Sequence, residues 1–423
     1  MQSCLRRLLF LLLCHTCLAS FGQSSLAKLY RRKDYFQLRS ELAANNKSLQ
    51  PADRLFYQAV LHNAFNRPKA SDQVIALLRK NFKNTLKDSL RKALLNLEAD
   101  NAIKNYRYQK AADTYRSIIT YCKTDRAERA DLENSIALWG AIAEVPQQQI
   151  IRHQTAILHW QKDKIGLLQV PVRRGTDTCD LVFDTGANIS VITESSAKKL
   201  HMRVYPVKLD LGAGTTGQTM QSSLAVADSL WLGPVLMRHV VFLLLPDDML
   251  EFKQAAYRQQ GIIGEPLIAQ LRQMSFYQDG RLEIPLNPLT NQDSNMALDG
   301  AMPIVEYTVN GQHLPFRFDS GASTSVLYEP FYKRFEKLIR ASGKPYKLRT
   351  GGVGGTINTA EAFKLPEISL KVNSKAFTIR EISVRTTPVG MEPDLFYGNM
   401  GLDIFCDFQK LTIDFTSMRL DVN

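Results

Sequence analysis

The feature that most limits what this 423-residue chain can fold into is a short frame that occurs twice. LVFDTGANISVIT (181–193) and FRFDSGASTSVLY (316–328), superposed on Asp184 and Asp319, share Phe at −1, a hydroxyl residue at +1, Gly at +2, Ala at +3, Ser at +6 and Val at +7. Each frame ends a longer run, GLLQVPVRRGTDTCDLVFDTGA (166–187) and MPIVEYTVNGQHLPFRFDSGA (302–322), that predicts strand, tight turn at Gly175 or Asn310-Gly311, and strand. A second landmark follows: Gly264 of GIIGEPLI (261–268) lies 80 residues beyond Asp184, and Gly401 of YGNMGLDIF (397–405) lies 82 beyond Asp319. RLEI (281–284) and RLDV (419–422) then close the two units on similar text that reads as a final strand. One all-β architecture built twice is implied, over residues 150–290 and 299–423, with the polar stretch NPLTNQDSNMALDG (287–300) as the linker.

On these motifs, residues 150 to 423 resemble the aspartic proteases, specifically the retropepsin-like type in a bilobed single-chain form. The resemblance implies two acid-protease-like lobes, a catalytic Asp184 and a catalytic Asp319, and Gly264 and Gly401 as positions where a neighbouring strand passes close behind each Asp. The chemistry has its own logic. Hydrolysing an amide without a metal or a covalent nucleophile takes one carboxylate to accept a proton from water and one carboxylic acid to protonate the carbonyl. Two carboxyls about 3 Å apart do both, because they cannot ionise together and so share a proton. Gly186 and Gly321 admit a turn and a close approach that a Cβ would obstruct, while the hydroxyls of Thr185 and Ser320 can brace the facing loop. No cofactor and no metal is required.

The glycine-rich stretches LGAGTTG (211–217) and TGGVGGT (350–356) lie between the Asp and the backing glycine of each unit, and are read as flaps able to cover an extended peptide. A peptide or protein substrate and an aspartic endopeptidase activity follow. The rival reading is a non-catalytic protein that binds peptide or another polymer in a protease-like cleft, and a third is an adaptor whose helical part is the functional one.

That helical part precedes the β units. Residues 23–145 are rich in Ala and Leu at helical spacing, and RLFYQAVLHNAFNRPKASDQVIALL (54–78) and KALLNLEADNAIKNYRYQKAADTYRSII (92–118) each read as helix, short polar turn and helix. The pattern resembles tetratricopeptide-type hairpins, at a longer offset of about 40 residues. Its charge is distinctive: residues 23–160 carry 23 Lys and Arg against 13 Asp and Glu, whereas residues 161–423 are balanced at 28 each. An anionic partner for the basic helical part is therefore expected, and no nucleic acid.

The chain begins MQSCLRR, continues with the apolar run LLFLLLCHTCLA (8–19) and then offers Ser20 and Gly22 at the −3 and −1 positions of a cleavage site. Residues 1–22 thus read as a signal peptide, too short to span a bilayer, with the protein exported to the periplasm or outside the cell and no transmembrane segment. Beyond the leader remain Cys122, Cys179 and Cys406, read as small buried hydrophobes rather than a disulfide framework or metal knuckle. The seven His include no HExxH or close ligand set, and there is neither a GxSxG elbow nor a Walker loop.

Overall fold

The structure, a computed structural model, describes residues 25–82, 86–213, 218–288, 293–351, 357–388 and 394–423. The leader at 1–22 and the central residues of both glycine-rich stretches, 214–217 and 352–356, lie outside the described residues. Helices are concentrated in residues 25–141 and the chain is β-rich from there on, the fold class expected from the composition shift.

Residues 25–31 are helical, followed by helices Tyr35–Asn45, Pro51–Ala64, Pro68–Phe82, Asp88–Lys104, Tyr108–Tyr121 and Arg126–Ala141. Local chemistry sets several of the boundaries. Asp34 accepts from Gln37 N and Asp125 from Glu128 N as N-caps, and Pro51 opens its helix where no intrahelical donor is needed. The first six of these helices pair into three hairpins joined by the same turn. At each, two backbone bonds of Schellman type close the preceding helix around a left-handed residue: Lys33 N to Tyr30 O with Asp34 N to Leu29 O, Asn66 N to Asn63 O with Arg67 N to His62 O, and Tyr106 N to Ile103 O with Arg107 N to Ala102 O. The sequence pattern marks the second and third hairpins, while the first lacks their alanine spacing. A buried amide pair, Asn63 Nδ2 to Asn101 Oδ1 at 2.9 Å, ties the second hairpin to the third.

The first β unit is a nine-stranded sheet with the order Gln149–Ile151, Val235–Leu245, Ser190–Thr193, Gly261–Ile263, Asp177–Phe183, Leu168–Arg174, Gln218–Leu232, Arg203–Ala213, and Gln161–Lys162 paired off Leu168–Arg174. The second is an eight-stranded sheet ordered Met296–Asp299, Met302–Val309, Gln312–Phe318, Gly398–Met400, Val326–Leu327, Lys375–Arg385, Ile357–Val372, Lys344–Gly351. The predicted hairpins are present: Val309 pairs with Gln312 across Asn310 and Gly311, both at positive φ as a two-residue turn of the right twist requires. Part of the stretch read as a linker is not one. Met296, Ala297 and Leu298 are buried in a strand that pairs with Met302–Val309, because their apolar side chains complete the second sheet's edge.

The closing strands join the units instead of finishing them separately. Ala156–His159, Arg281–Ile284, Gln273–Tyr277, Lys410–Asp414 and Arg419–Val422 form a five-stranded sheet in that order, drawn from both halves of the β region. At its centre the Ser275 and Thr412 hydroxyls meet at 3.0 Å. Phe276 of this sheet packs edge-on against Phe183 at 5.1 Å, directly before Asp184, and one buried apolar cluster runs from Leu38 and Phe65 through Phe276 to Phe318. The last helix also reaches the first unit, where the Asn134 side-chain amide donates to Asp210 O at 2.8 Å and accepts from Asp210 N at 3.0 Å.

The cysteine reading holds for Cys179, which is buried, and fails for Cys406, which is exposed. Cys406 follows the short helix Leu402–Phe405, whose Leu402, Ile404 and Phe405 take the inward positions. Among the described residues no helix is long and apolar enough to cross a membrane.

Candidate active site

Each Asp sits where a strand ends against two others. In the first unit, Gly261–Ile263 runs parallel to Asp177–Phe183 and antiparallel to Ser190–Thr193, pairing Ile263 with Phe183 and Gly261 with Ile192. In the second, Gly398–Met400 runs parallel to Gln312–Phe318 and antiparallel to Val326–Leu327, pairing Met400 with Phe318 and Gly398 with Leu327. The backbone between the two flanking strands must turn out of the sheet, and it is there that Asp184 and Asp319 lie, their N–H groups donating to Ile263 O and Met400 O at 3.0 Å each.

The glycines that follow the crossing strands are fixed by backbone proximity. A Cβ on Gly264 would lie 2.8 Å from Ala187 O and Ser190 N, and one on Gly401 2.6 Å from Ala322 O. Such contacts are with main chain that cannot swing aside. Next to them, Glu265 N donates to Ala187 O at 2.9 Å and Leu402 N to Ala322 O at 2.8 Å, and Gly264 N and Gly401 N donate to the hydroxyls of Ser190 and Ser325 at 3.0 and 2.9 Å. Ser190 and Ser325 are the serines at +6 of the repeated frame, visible in the sequence but given no role there.

The two loops grip each other. Thr185 N donates to Ser320 Oγ and Ser320 N to Thr185 Oγ1, both at 3.0 Å; in return Thr185 Oγ1 donates to Phe318 O at 3.2 Å and Ser320 Oγ to Phe183 O at 2.7 Å. Both residues are fully buried and each hydroxyl uses one donor and one acceptor function, so no polar atom of the exchange is left over. The grip brings the carboxyls onto opposite glycines: a Cβ on Gly186 would lie 2.5 Å from Asp319 Oδ1, and one on Gly321 would overlap the Asp184 carboxyl. All eight residues singled out from the sequence therefore converge on one place within a single chain.

The pair is not symmetric. Asp184 Oδ1 accepts from Gly186 N at 2.7 Å and Ala187 N at 3.2 Å. Asp319 Oδ1 accepts from Gly321 N at 2.9 Å, and its Oδ2 accepts from Asn399 Nδ2 at 3.1 Å. Asn399 stands two residues before Gly401, and the matching position before Gly264 is Ile262, a buried residue with no donor to offer. Burial, reinforced by the charge of Asp319, holds the Asp184 carboxyl well above the ordinary carboxylate range.

The backing elements differ behind the loops. In the second unit Asp403 accepts from Ser325 N at 2.7 Å and from Ser325 Oγ at 2.5 Å. In the first unit Pro266 holds that place, and Glu265 beside it is buried at the contact with the helices, its carboxyl pushed up to about 8 by burial and brought partway back by Lys104. Glu265-Pro266 is thus where the helical part meets the back of the Asp184 loop. The glycine-rich stretches continue paired strands: Ala213 with Gln218 and Gly351 with Ile357 are the last pairs before the residues outside the description. Among the described residues no group of three His, Cys, Asp or Glu side chains is arranged to hold a metal ion.

A family model for aspartyl proteases matches residues 169–267, which span the first frame with Asp184 and the first backing glycine, Gly264. No curated protein matches the chain.

Proposed function

We propose that the protein is an aspartic endopeptidase whose single site is shared by Asp184 and Asp319. The observation that carries this is the mutual exchange of hydroxyl and backbone bonds between Thr185 and Ser320, which seats each carboxyl on the other loop's glycine. In the reading that follows, the Asp319 carboxylate takes a proton from a water held between the two acids, the water attacks the peptide carbonyl, and the Asp184 carboxylic acid protonates the carbonyl oxygen. The assignment of base to Asp319 rests on Asn399, whose amide donor occupies Asp319 Oδ2 while Asp184 Oδ2 receives no protein donor among the described residues. A donor to the ionised form favours that form.

In the same reading residues 150–290 and 299–423 are the two lobes, the paired strands leading to 214–217 and 352–356 are the bases of two flaps over an extended peptide, and residues 23–145 are a tetratricopeptide-like domain. Residues 1–22 are the export signal, so mass spectrometry of the exported protein should find Gln23 at its amino terminus; retained Met1 would contradict export. The activity itself is tested by incubating the mature protein with a mixed peptide library from acid to neutral pH, with and without a statin-type mimic of the tetrahedral intermediate. Internal cleavage suppressed by the mimic is expected. Tight binding of peptides with no cleavage at any pH would replace the enzyme by a binding protein.

A further inference from the structure

The three hairpin turns of the helical array each direct their left-handed residue at the β region. Lys33 Nζ lies 2.7 Å from Asp299 Oδ1, Asn66 Nδ2 donates to Phe415 O at 3.2 Å, and Tyr106 OH donates to Pro266 O at 2.6 Å. The acceptors belong to three different bodies. Asp299 ends the first strand of the second unit, Phe415 follows the strand Lys410–Asp414 of the shared sheet, and Pro266 stands two residues beyond Gly264 in the first unit. A backbone motif repeated along one stack of helices therefore touches both units and the sheet between them.

We propose that the helical array is a strut that sets the spacing of the two carboxyls, with Tyr106, Asn66 and Lys33 as positioning residues; this rests on the dyad reading above. On the first side the connection to the site is short. The Asp184 loop hangs from Gly264 and Glu265 through Ser190 Oγ and Ala187 O, and Tyr106 grips the next carbonyl, with Gln148 Nε2 also donating to it at 3.3 Å. On the second side Asp299, held additionally by Tyr35 OH at 3.1 Å, anchors a strand paired to Met302–Val309, which is paired in turn to the strand that ends at Asp319. Between these anchors the stack is stiffened by Phe36 against Phe65 at 6.0 Å and by the Asn63–Asn101 amide pair. Packed helices transmit displacement with little compliance.

The spacing of two carboxyls that share a proton can be read directly, since the separation between their two ionisation steps grows as they approach. The test is a titration of the full chain carrying 13C-labelled aspartate carboxyls, in the wild type and in the variant Lys33→Ala/Asn66→Ala/Tyr106→Phe, alongside peptide cleavage kinetics. The strut predicts that the two steps move together by at least one pH unit in the variant and that kcat falls tenfold or more with KM within twofold. Unchanged steps and unchanged kcat, even with a lower melting temperature, would overturn it, because a role confined to stability moves neither. Should the triple variant not fold, Tyr106→Phe alone decides: the steps must close by at least 0.3 pH unit with a threefold lower kcat, or the proposal fails. A wild type in which Asp184 and Asp319 titrate independently would overturn the dyad reading itself, a result distinct from a coupled wild type whose variants behave identically.

Discussion

Replacing Asn399 by leucine removes the side-chain donor that reaches Asp319 Oδ2 while keeping a residue of similar size in the crossing strand, where Asn399 pairs through its backbone with Arg317 and Val326. A hydrogen bond to a charged group contributes roughly 1.5–3 kcal/mol. Asn399 and Asp319 are only half-buried, so water replaces part of what is lost, and the lower end of that range applies. At about 1.4 kcal/mol per pH unit this is a shift of about one unit. Its sign follows from which form the amide stabilises: the bond favours the singly ionised pair, so its loss makes the first ionisation harder and moves it to higher pH. The acid limb of kcat/KM against pH, which reports the first ionisation of the free enzyme, should therefore rise by about one unit in Asn399→Leu. The alkaline limb, where the proton on Asp184 is lost, should move less. An acid limb within 0.3 unit of wild type, in a variant whose melting temperature is unchanged, would refute the assignment of charge to Asp319.

The loop exchange makes Thr185→Val nearly isosteric yet costly: it strands Ser320 N–H and Phe318 C=O in a buried place, which should cost about 2–4 kcal/mol, seen as a lower melting temperature with loss of cleavage; an unshifted melt would show the exchange is not structural. Gly264→Ala and Gly401→Ala each force a Cβ into main-chain atoms closer than 3.0 Å, so both should be destabilised by about 1–3 kcal/mol and lose most activity, and a fully active alanine variant at either position would contradict the crossing geometry. Glu265 binds its proton more tightly folded, at about 8, than unfolded, near 4.5, so it contributes stability below pH 4.5 that is lost as pH rises toward 8. Glu265→Gln should remove that slope, an effect of up to roughly 5 kcal/mol, and denaturant titrations at pH 5 and pH 8 that give the same difference for both proteins would show that Glu265 is not the group responsible.

How far these features were legible in the sequence depends on whether they are local. The frame around Asp184 and Asp319, the two backing glycines and the turn at Asn310-Gly311 are set by residue type at fixed spacing, and a period-two pattern exposes them. Asn399 and Ile262 occupy matching places yet differ in kind, and only the crossing of strands brings the Asn399 amide to Asp319. Glu265 stands where the second unit has Leu402, and its meaning depends on the helical contact behind it, contributed by Tyr106, 159 residues earlier. RLEI and RLDV were readable as strands but not as partners in a common sheet, since strand pairing at long separation leaves little trace in either strand alone. The first helical hairpin escaped because it lacks the alanine spacing of the other two, and its left-handed residue, Lys33, is no more of a signal than Tyr106 in the third.

The central claim, one site made by both acids of one chain, is tested most directly by measuring peptide cleavage in Asp184→Asn, in Asp319→Asn and in their mixture, with the wild type followed on dilution. Each substitution removes one member of the proton-sharing pair and nearly preserves its shape, so each should lower kcat by about a thousandfold or more, the mixture should recover nothing, and the wild type's specific activity should be independent of concentration. Substantial cleavage by either single variant, recovery on mixing, or wild-type activity that fades on dilution would contradict the account and place each active pair between two chains.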